Sequence, residues 1–380
     1  MVSLDDLETP AALVDLERLE RNLDRMAAYA AGHGLALRPH IKTHKSPRVG
    51  AEQLDRGASG LTCATPREAE AMSDVCDDIL VAYPLVGAQK AERLMALPGH
   101  VRLSVMLDSA EALRAVGDAA RDAGRTVGVY VEMDVGMRRV GVAAPADAIA
   151  LARLATETAN VEYRGIGFYP GHVRAPVTEQ DGDLRRLAAY LEQAVDALAG
   201  AGLAPPAVTG GSTPTAWRTH ELPAVTEMRP GTYVYNDRTT AAIGACAWDD
   251  CAFTVLATVV STAVAGQAVI DAGSKALSRE PLRGAAEEGF GVLLDRPQVT
   301  VTRMSEEHGV LDLSGSDWRP RVGEIVRIIP NHVCPVVHLN DVVYGVRAGH
   351  VETSWPVTAR GRGFTDTATT TARGTADERG

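Results

Sequence analysis

The stretch VRLSVMLDSAEALRAVGDAARDAGRTVGVYVEM, residues 101–133, contains the unit that repeats through the first part of the chain. Apolar residues run through 101–107 and again through 126–133, a pattern that indicates strands buried on both faces. Between them, residues 109–122 carry alanine and leucine at helical spacing. A strand, a helix and a second strand in this order are typical of a parallel βαβ unit.

The same alternation extends on both sides of this unit. Asp15 is placed to cap a first helix whose apolar residues recur at helical spacing. Further strands are predicted near residues 36–41, 60–63, 79–83, 161–169, 206–210 and 224–228. Helical segments separate most of them, near residues 47–57, 66–74, 87–97, 144–157 and 177–200. Eight strands alternating with helices predict an α/β fold with a TIM-like (β/α)8 barrel, and a doubly wound sheet is the alternative.

The pattern of predicted secondary structure changes after residue 238. Long helical patterns disappear, and short apolar segments near 255–265, 267–271, 299–303, 323–329 and 341–346 are separated by Gly, Pro and Asp. We therefore expect a barrel domain at 1–238, allowing that its first strand packs on the second domain, and a mostly β domain at 239–361. Residues 362–380 contain almost no large apolar side chain, so the sequence predicts a disordered tail.

Composition limits the kinds of partner that the protein has. Hydrophobic residues make up 46% of the 380 residues, enough for a sizeable core. The formal charge of −11 argues against DNA or RNA, because binding to phosphate backbones needs a basic face. Five cysteines without a CxxC pair favour a reducing compartment. With no signal peptide and no apolar run of spanning length, the sequence predicts a cytoplasmic protein that does not enter membranes.

The segment from Arg38 to His44, RPHIKTH, has the highest density of charged and reactive side chains in the sequence. If it continues a strand, Arg38, His40 and Lys42 lie on one face, which in a barrel is the inner face. Lys42 then reaches the C-terminal mouth, where barrel enzymes build their active sites. Neighbouring cations make a lysine amine nucleophilic towards an aldehyde, and the chain has only four lysines. A basic surface loop is the alternative that spacing alone leaves open.

The segment PNHVCP, residues 330–335, is a candidate metal site in the second domain. On an extended strand His332 and Cys334 share a face, and imidazole with thiolate suits zinc. Two ligands leave coordination positions open for water or substrate, as a catalytic site requires. By spacing alone, a buried structural cysteine is the more common outcome for this pattern.

Several motifs, in the same order along most of the chain, resemble one enzyme family. RPHIKTHK at 38–45 is similar to the cofactor-lysine segment of D-threonine aldolases and D-serine dehydratases, which are alanine-racemase-like, fold-type III pyridoxal-phosphate enzymes. The resemblance extends from LETPAALVDL at 7–16 to WPVTARG at 355–361. It implies that pyridoxal 5'-phosphate is bound covalently to Lys42. It also implies a homodimer with active sites near the subunit interface and a small D-amino acid as the substrate.

The resemblance also implies which residues surround the cofactor. Within EMDVGMRRVGV at 132–142, Arg139 matches an arginine near the pyridoxal ring oxygen. GGSTPT at 210–215 resembles the phosphate loop, and RPGTY at 229–233 resembles the loop after the last barrel strand. Small residues there let backbone N–H groups approach a phosphate, although glycine with serine in isolation is usually only a turn. The cofactor-binding residues implied are His40, Lys42, Arg139, Tyr169, Ser212, Thr213, Gly231, Thr232 and Tyr233.

Two features of the resemblance favour different reactions. The segment around His332 and Cys334 is similar to the metal motif of the dehydratases, whereas many aldolases carry aspartate at the position of Cys334. His172, in FYPGHVR at 168–174, resembles the histidine that aldolases place near the substrate hydroxyl, where it acts catalytically. We expect a lyase that depends on a divalent metal, zinc first and manganese second. The sequence narrowly favours an aldolase, which forms glycine and an aldehyde, over a D-serine or 3-hydroxy-D-aspartate dehydratase.

Two other functions are compatible with parts of the sequence. An amino-acid racemase of this group needs a catalytic tyrosine from the second domain, and no matching motif supplies one. A non-catalytic pyridoxal-phosphate carrier resembles the barrel alone, whereas this chain adds a second domain with a candidate metal motif. Both are therefore less favoured than a lyase.

Overall fold

The computed structural model describes residues 2–282 and 288–361, which form two sheets and their helices. The tail predicted at 362–380 lies outside the described residues. The chain begins with two strands, β1 (Val2–Ser3) and β2 (Ala11–Asp15), followed by α1 (Leu16–Gly32). As the sequence predicts, Asp15 caps α1, and its carboxylate accepts a hydrogen bond from the Arg18 N–H at 3.0 Å.

The eight-stranded parallel sheet confirms the predicted TIM-like barrel. Its strands, in chain order, are β3 (Ala36–Leu37), β4 (Leu61–Cys63), β5 (Asp78–Val81), β6 (Arg102–Leu107), β7 (Val127–Met133), β8 (Val161–Phe168), β9 (Ala207–Gly210) and β10 (Glu227–Met228). They pair in the order β3-β10-β9-β8-β7-β6-β5-β4, and a bridge between His40 and Thr62 brings the two edges together. Every residue of β7 is buried, as expected for a strand covered on both faces.

Helices cover the outside of the barrel. They are α2 (Pro47–Asp55), α3 (Pro66–Met72), α4 (Ala88–Met95), α5 (Ala110–Asp122), α6 (Pro145–Glu157) and α7 (Asp181–Gly200). In α5, the residues Ala112, Leu113, Val116 and Ala120 are buried, and Ser109 caps the first turn. This apolar stripe at helical spacing is what packs the helix on the sheet.

The first predicted strand is shorter than the sequence indicates. It ends at Leu37 instead of Ile41, and residues Ile41–Thr43 form a 3-10 turn that carries Lys42. Backbone pairing still continues to His40, whose N–H donates to the Pro230 carbonyl at 3.0 Å, and the 3-10 turn then takes the chain out of the sheet. The strand-based alternation predicted for His40 and Lys42 is therefore wrong at its end, although Lys42 still lies beyond a barrel strand.

The second sheet is mostly antiparallel and includes the N-terminus. It contains β1 and β2 together with β11 (Phe253–Ser261), β12 (Gln267–Ile270), β13 (Gly291–Leu293), β14 (Arg296–Met304), β15 (Gly309–Asp312), β16 (Ile325–Pro330), β17 (Val342–Arg347) and β18 (His350–Pro356). β2 pairs with β11 antiparallel and with β17 parallel. The start of the chain thus joins the sheet built by its end.

Short helices complete the part of the second domain that the structure describes: α8 (Arg238–Ala242), α9 (Ser274–Leu277) and α10 (Val333–Leu339). The extended segment predicted at His332 to Cys334 is wrong, because His332 is the N-cap of α10 and Cys334 lies in its first turn. Pro335 is tolerated there, since first-turn N–H groups need no partner inside the helix. Within the described residues, no helix has the length and apolar character needed to cross a membrane.

Candidate active site

A cavity of about 560 Å³ lies where the barrel strands end at their carboxyl ends and meets the second domain. Its size is within the range usual for cofactor and ligand pockets. Ten of the residues predicted from the sequence line it: His40, Lys42, Arg139, Tyr169, Ser212, Thr213, Gly231, Thr232, His332 and Cys334. Side chains from segments far apart in the chain thus meet at one site.

Lys42 is the lysine of this cavity. It is half-buried, and its Nζ lies 5.3 Å from the centre of the Tyr169 ring. Of the other lysines, Lys45 is buried and paired with Glu68, and Lys275 is paired with Glu307 at the surface. Lys90 lies over the ring of Tyr83, 5.9 Å from its centre. Lys42 is therefore the lysine placed to bind an aldehyde in the cavity.

The cationic side chains of Arg139 and Arg229 line the same cavity as Lys42. Burial, and next the charges of Lys42 and Arg229, hold the pKa of His40 well below its usual value, so the imidazole is neutral. The Arg139 guanidinium, like the Lys42 amine, lies over the Tyr169 ring, 5.0 Å from the ring centre. The cavity is thus poised to receive a group with negative charge.

Two buried side chains that the sequence did not single out face this cavity, Glu132 and Arg229. An Nη2 hydrogen of Arg229 is donated to the Phe168 carbonyl at 2.9 Å. Burial raises the pKa of Glu132, and the charges of Arg229 and Arg139 oppose that rise. Within the described residues, Oε2 of Glu132 and Nε of Arg229 are buried without a hydrogen-bond partner. Such atoms are costly unless a bound polar group satisfies them, so they fit a polar ring lodged in the barrel.

The two predicted phosphate loops lie side by side, because β9 and β10 are neighbours in the barrel. Ser212 and Thr213 are buried at the cavity wall, and the Tyr233 N–H donates to Thr213 Oγ1 at 3.1 Å. Gly231 is required by close approach, since a Cβ there would lie 2.9 Å from the His40 carbonyl oxygen. Small residues at a backbone crossing of this kind form the cradle that a phosphate needs.

The side chain of Tyr233 does not line the cavity. It is buried in the core, and its hydroxyl accepts a hydrogen bond from Gln53 Nε2 at 2.9 Å. The other end of the Gln53 amide, Oε1, lies 3.2 Å from Nε2 of the buried His44. These contacts connect the segment that carries Lys42 with the loop that carries Gly231, from behind the cavity.

His172 is also outside the cavity lining. Its side chain is exposed and packs against the loop that carries Arg139, where a Cβ on Gly136 would lie 3.2 Å from its Nε2. Its neighbours Gly171, Val173 and Arg174 do line the cavity. The structure therefore brings His172 near the mouth without directing its ring inward.

The candidate metal pair lies on the wall contributed by the second domain. Cys334 Sγ is 3.2 Å from the Thr43 hydroxyl, next to Lys42 in the chain. Burial alone would raise the pKa of Cys334, but the His332 imidazole, and next Lys42 and Thr43, lower the pKa to about 7. Burial also opposes a charge on His332, yet Cys334 and Asp237 raise its pKa well above the usual value. The two groups thus lie close enough for each to favour the charged form of the other.

The donor set fits a two-ligand site. Nδ1 of His332 is hydrogen-bonded to Asp237 at 3.0 Å, which leaves the other ring nitrogen on the cavity side. Among residues 2–282 and 288–361, no group of three or more His, Cys, Asp and Glu side chains is arranged to hold a metal ion. A metal held by His332 and Cys334 would therefore keep open positions for water or substrate.

Models of two protein families match the chain. Residues 14–239 match the alanine racemase N-terminal domain, and residues 252–346 match a putative serine dehydratase domain. The first match alone covers more than half of the chain. Together they confirm the resemblance to alanine-racemase-like enzymes that the motifs indicate.

Comparisons with single proteins give similarity along nearly the whole length. A D-threonine aldolase from Arthrobacter sp. is 34% identical, over 93% of this chain and 93% of the relative. A D-threo-3-hydroxyaspartate dehydratase from Delftia sp. (strain HT23) is 36% identical, over 86% of this chain and 91% of the relative. A solved structure of a D-threo-3-hydroxyaspartate dehydratase mutant in its metal-free form superposes with a TM-score of 0.85 at 32% identity. That match covers 96% of this chain and 100% of the other.

Proposed function

This chain belongs to the family of pyridoxal-phosphate enzymes that includes D-threonine aldolases and D-serine dehydratases, and we propose that it acts as a dehydratase. As a member of that family the protein is a lyase of D-β-hydroxy amino acids. The proposed reaction removes water from such a substrate and releases a 2-oxo acid and ammonia. The observation that carries this proposal is that Lys42 and the pair His332 and Cys334 face one cavity.

We propose that pyridoxal 5'-phosphate is held in the barrel half of the cavity. Its phosphate would be held at the loops of Ser212, Thr213, Gly231 and Thr232. When bound, the cofactor withdraws electrons from the substrate Cα and weakens the bonds to that atom. The unpaired buried atoms of Glu132 and Arg229 support this placement, because they need polar partners that the described residues do not supply.

Lys42 has two tasks in the proposal. Its amine would hold the cofactor, and in its free form the same amine would act as a base for the Cα proton of the substrate. The neighbouring ring of Tyr169 and guanidinium of Arg139 restrict where the amine reaches. Loss of the α-proton and of the β-hydroxyl together makes one molecule of water, and hydrolysis of the resulting enamine gives the oxo acid and ammonia.

His332 and Cys334 would hold a divalent metal, with zinc the first choice for an imidazole and a thiolate and manganese the second. The relative whose solved structure is described as metal-free supports the presence of a metal in this family. When bound, the ion polarises the β-hydroxyl and makes it a better leaving group. Cys334 contacts Thr43, the neighbour of Lys42, so the base and the metal pair would act on adjacent substrate atoms.

Retro-aldol cleavage is the second candidate, favoured by the 34% identity to a D-threonine aldolase. That reaction needs a base for the proton of the β-hydroxyl. The sequence offers His172 for this role, but its side chain is exposed and packs against Gly136, outside the cavity lining. The dehydratase needs no residue beyond those that line the cavity, and for this reason we favour it.

One assay separates the two reactions. The purified holoenzyme with zinc is incubated with D-threonine, D-serine and 3-hydroxy-D-aspartate in turn, and 2-oxo acid and glycine are both quantified. We expect 2-oxo acid and ammonia in equal amounts, and loss of both on treatment with a chelator. Glycine with an aldehyde as the main products would establish the aldolase instead.

We also propose that the protein is a cytoplasmic homodimer with a barrel domain at 1–238, whose first strands pair with the second sheet, and a β domain at 239–361. The resemblance to alanine-racemase-like enzymes supports this assembly. Light scattering on the holoenzyme gives the mass directly, and the mass of one chain, 40.2 kDa, would contradict the dimer.

A further inference from the structure

We propose that Asp237 is the residue that positions His332 for metal binding. The inference rests on the proposed function, since it assumes a metal at His332 and Cys334. It goes beyond that function because it assigns a role to Asp237, which would act through the His332 imidazole and not as a ligand. Asp237 is therefore a positioning residue.

The Asp237 carboxylate is fully used by hydrogen-bond donors. It is completely buried, and its Oδ2 lies 3.0 Å from His332 Nδ1 while accepting from the Val333 N–H at 3.1 Å. Its Oδ1 accepts from the Thr240 N–H at 2.9 Å, as the cap of α8. Both segments that meet at the metal pair are thus held by one anion.

These contacts decide which ring nitrogen of His332 is left for a metal. An ionised carboxylate only accepts hydrogen bonds, so Nδ1 must carry the hydrogen. Nε2 is then the nitrogen with a free lone pair once the imidazole is neutral. Metal-binding histidines commonly donate their second N–H to a carboxylate, which sets the tautomer and the ring orientation.

Helix capping alone does not explain both carboxylate oxygens. The cap of α8 needs only Oδ1 and Thr240, three residues away. The Oδ2 contacts reach residues 95 and 96 positions further along the chain, His332 and Val333. A carboxylate that served only as a cap would have no reason to be buried against the histidine of the cavity.

Asparagine has the shape of aspartate but fails at this position. Each carboxylate oxygen accepts from a backbone N–H, Thr240 on one side and Val333 on the other. The NH2 group of an asparagine would therefore oppose a donor in either orientation. If the NH2 group faced His332, it would donate to Nδ1 and favour the tautomer with hydrogen on Nε2. Nε2 would then have no free lone pair for a metal.

The test compares zinc affinity in the holoenzyme forms of the wild type and Asp237→Asn, by competition with a chromophoric chelator. Loss of a carboxylate behind a metal-binding histidine typically weakens affinity by about 10- to 100-fold, and we expect that loss here. Asp250→Asn is the matched control, because Asp250 is also buried and caps a turn through the Ala247 N–H at 2.9 Å. It does not contact His332, so it should leave zinc affinity at the wild-type value.

The outcomes separate this inference from the proposed function. If the wild type binds no zinc, the metal site fails and the inference fails with it. If the wild type binds zinc and Asp237→Asn binds it equally well, only the role of Asp237 is overturned. Equal losses in Asp237→Asn and Asp250→Asn would also overturn it, because they would reflect general destabilisation.

A second measurement needs no variant, in case Asp237→Asn does not fold. Imidazole nitrogen NMR of the zinc-loaded wild type, with His332 assigned through His332→Gln, reports the tautomer directly. We expect hydrogen on Nδ1 and none on Nε2. Hydrogen on Nε2 of His332 in the zinc-loaded protein would overturn the proposal.

Discussion

The barrel half of the cavity draws on segments that follow seven of the eight strands, whereas the candidate metal pair of the second domain is two side chains that lie two residues apart. In the barrel half, glycines, hydroxyl groups and arginines on several loops would bind the cofactor together. A change in one loop should therefore leave the other contacts in place. In the second domain, the His332 imidazole is hydrogen-bonded to one buried carboxylate, that of Asp237. If the proposed sites are correct, we expect single changes to abolish metal binding but to weaken cofactor binding gradually, except at Lys42.

The strongest test of this contrast is Lys42→Ala, the one barrel residue without a substitute. We expect activity to fall by at least about 10³-fold, because covalent attachment and the proposed base are removed together. The absorbance of covalently bound cofactor should vanish, and borohydride reduction should no longer attach cofactor to the chain. Lys275→Ala is the control, since Lys275 is paired with Glu307 at the surface and should leave both unchanged. Borohydride labelling of another lysine in the wild type would contradict the assignment.

Cys334→Ala tests the other half of the comparison. With one of two protein ligands gone, zinc affinity should fall more than the 10- to 100-fold typical of residues behind a ligand, so by more than about 100-fold. Cofactor absorbance should stay at the wild-type level, because the barrel half is intact. Cys246→Ala is the matched control, a half-buried cysteine outside the cavity. If Cys334→Ala keeps wild-type zinc affinity, the metal pair is wrongly assigned.

Acid should weaken the barrel half through His44, which is buried behind the lysine segment. Burial lowers the pKa of His44 to about 3, against about 6.5 when unfolded. Between these values the unfolded chain binds a proton that the folded chain does not. The free energy of unfolding should therefore fall by about 1.4 kcal/mol per pH unit below pH 6.5, which is about 2 kcal/mol at pH 5.

Urea unfolding at pH 7 and pH 5 measures this contribution. In His44→Gln the fall between the two pH values should be smaller than in the wild type by about 2 kcal/mol. His350→Gln is the control, because His350 is exposed and should leave the fall unchanged. An identical pH dependence in the wild type and His44→Gln would refute the role of the buried imidazole.

Gly231→Ala should have the smallest effect. It tests whether a single change in the barrel half weakens cofactor binding only partly. The new methyl group would meet the His40 carbonyl oxygen at 2.9 Å, so the loop must shift. Overpacking of this kind costs about 1–3 kcal/mol, and we expect cofactor affinity to fall by roughly tenfold. Gly200→Ala, where the same atom meets open space, should leave cofactor affinity unchanged. Complete loss of cofactor in Gly231→Ala would show that the barrel half is as concentrated as the metal half.

Most of the barrel could be predicted because its signals are local. The alternation of apolar strands with alanine-rich helices located all eight strands, and Asp15 marked the start of α1. Errors came at two places where the chain turns although the residue types also allow an extended segment. The first strand gives way to the 3-10 turn Ile41–Thr43, and His332 caps α10 where an extended segment was predicted.

The site was less predictable, because several of its contacts join distant residues. The charge of Arg229 acts on Glu132 from 97 residues away, and Asp237 is hydrogen-bonded to His332 across 95 residues, so no short motif signals either pair. Tyr233 and His172 belong to the right segments, yet their side chains point away from the cavity. The direction of a side chain at a loop depends on packing that sequence spacing does not describe.

By itself, the sequence determined the order of strands and helices, the scarcity of lysine that makes Lys42 conspicuous, and the chemistry of an imidazole and a thiol close together. These follow from periodicity and residue type, which act over a few positions. Only the tertiary structure decided that Lys42 and Cys334 face one cavity, and that Asp237 is hydrogen-bonded to His332. Such contacts arise when the barrel strands and the second sheet pack together, since burial in that packing brings distant polar groups within hydrogen-bonding range.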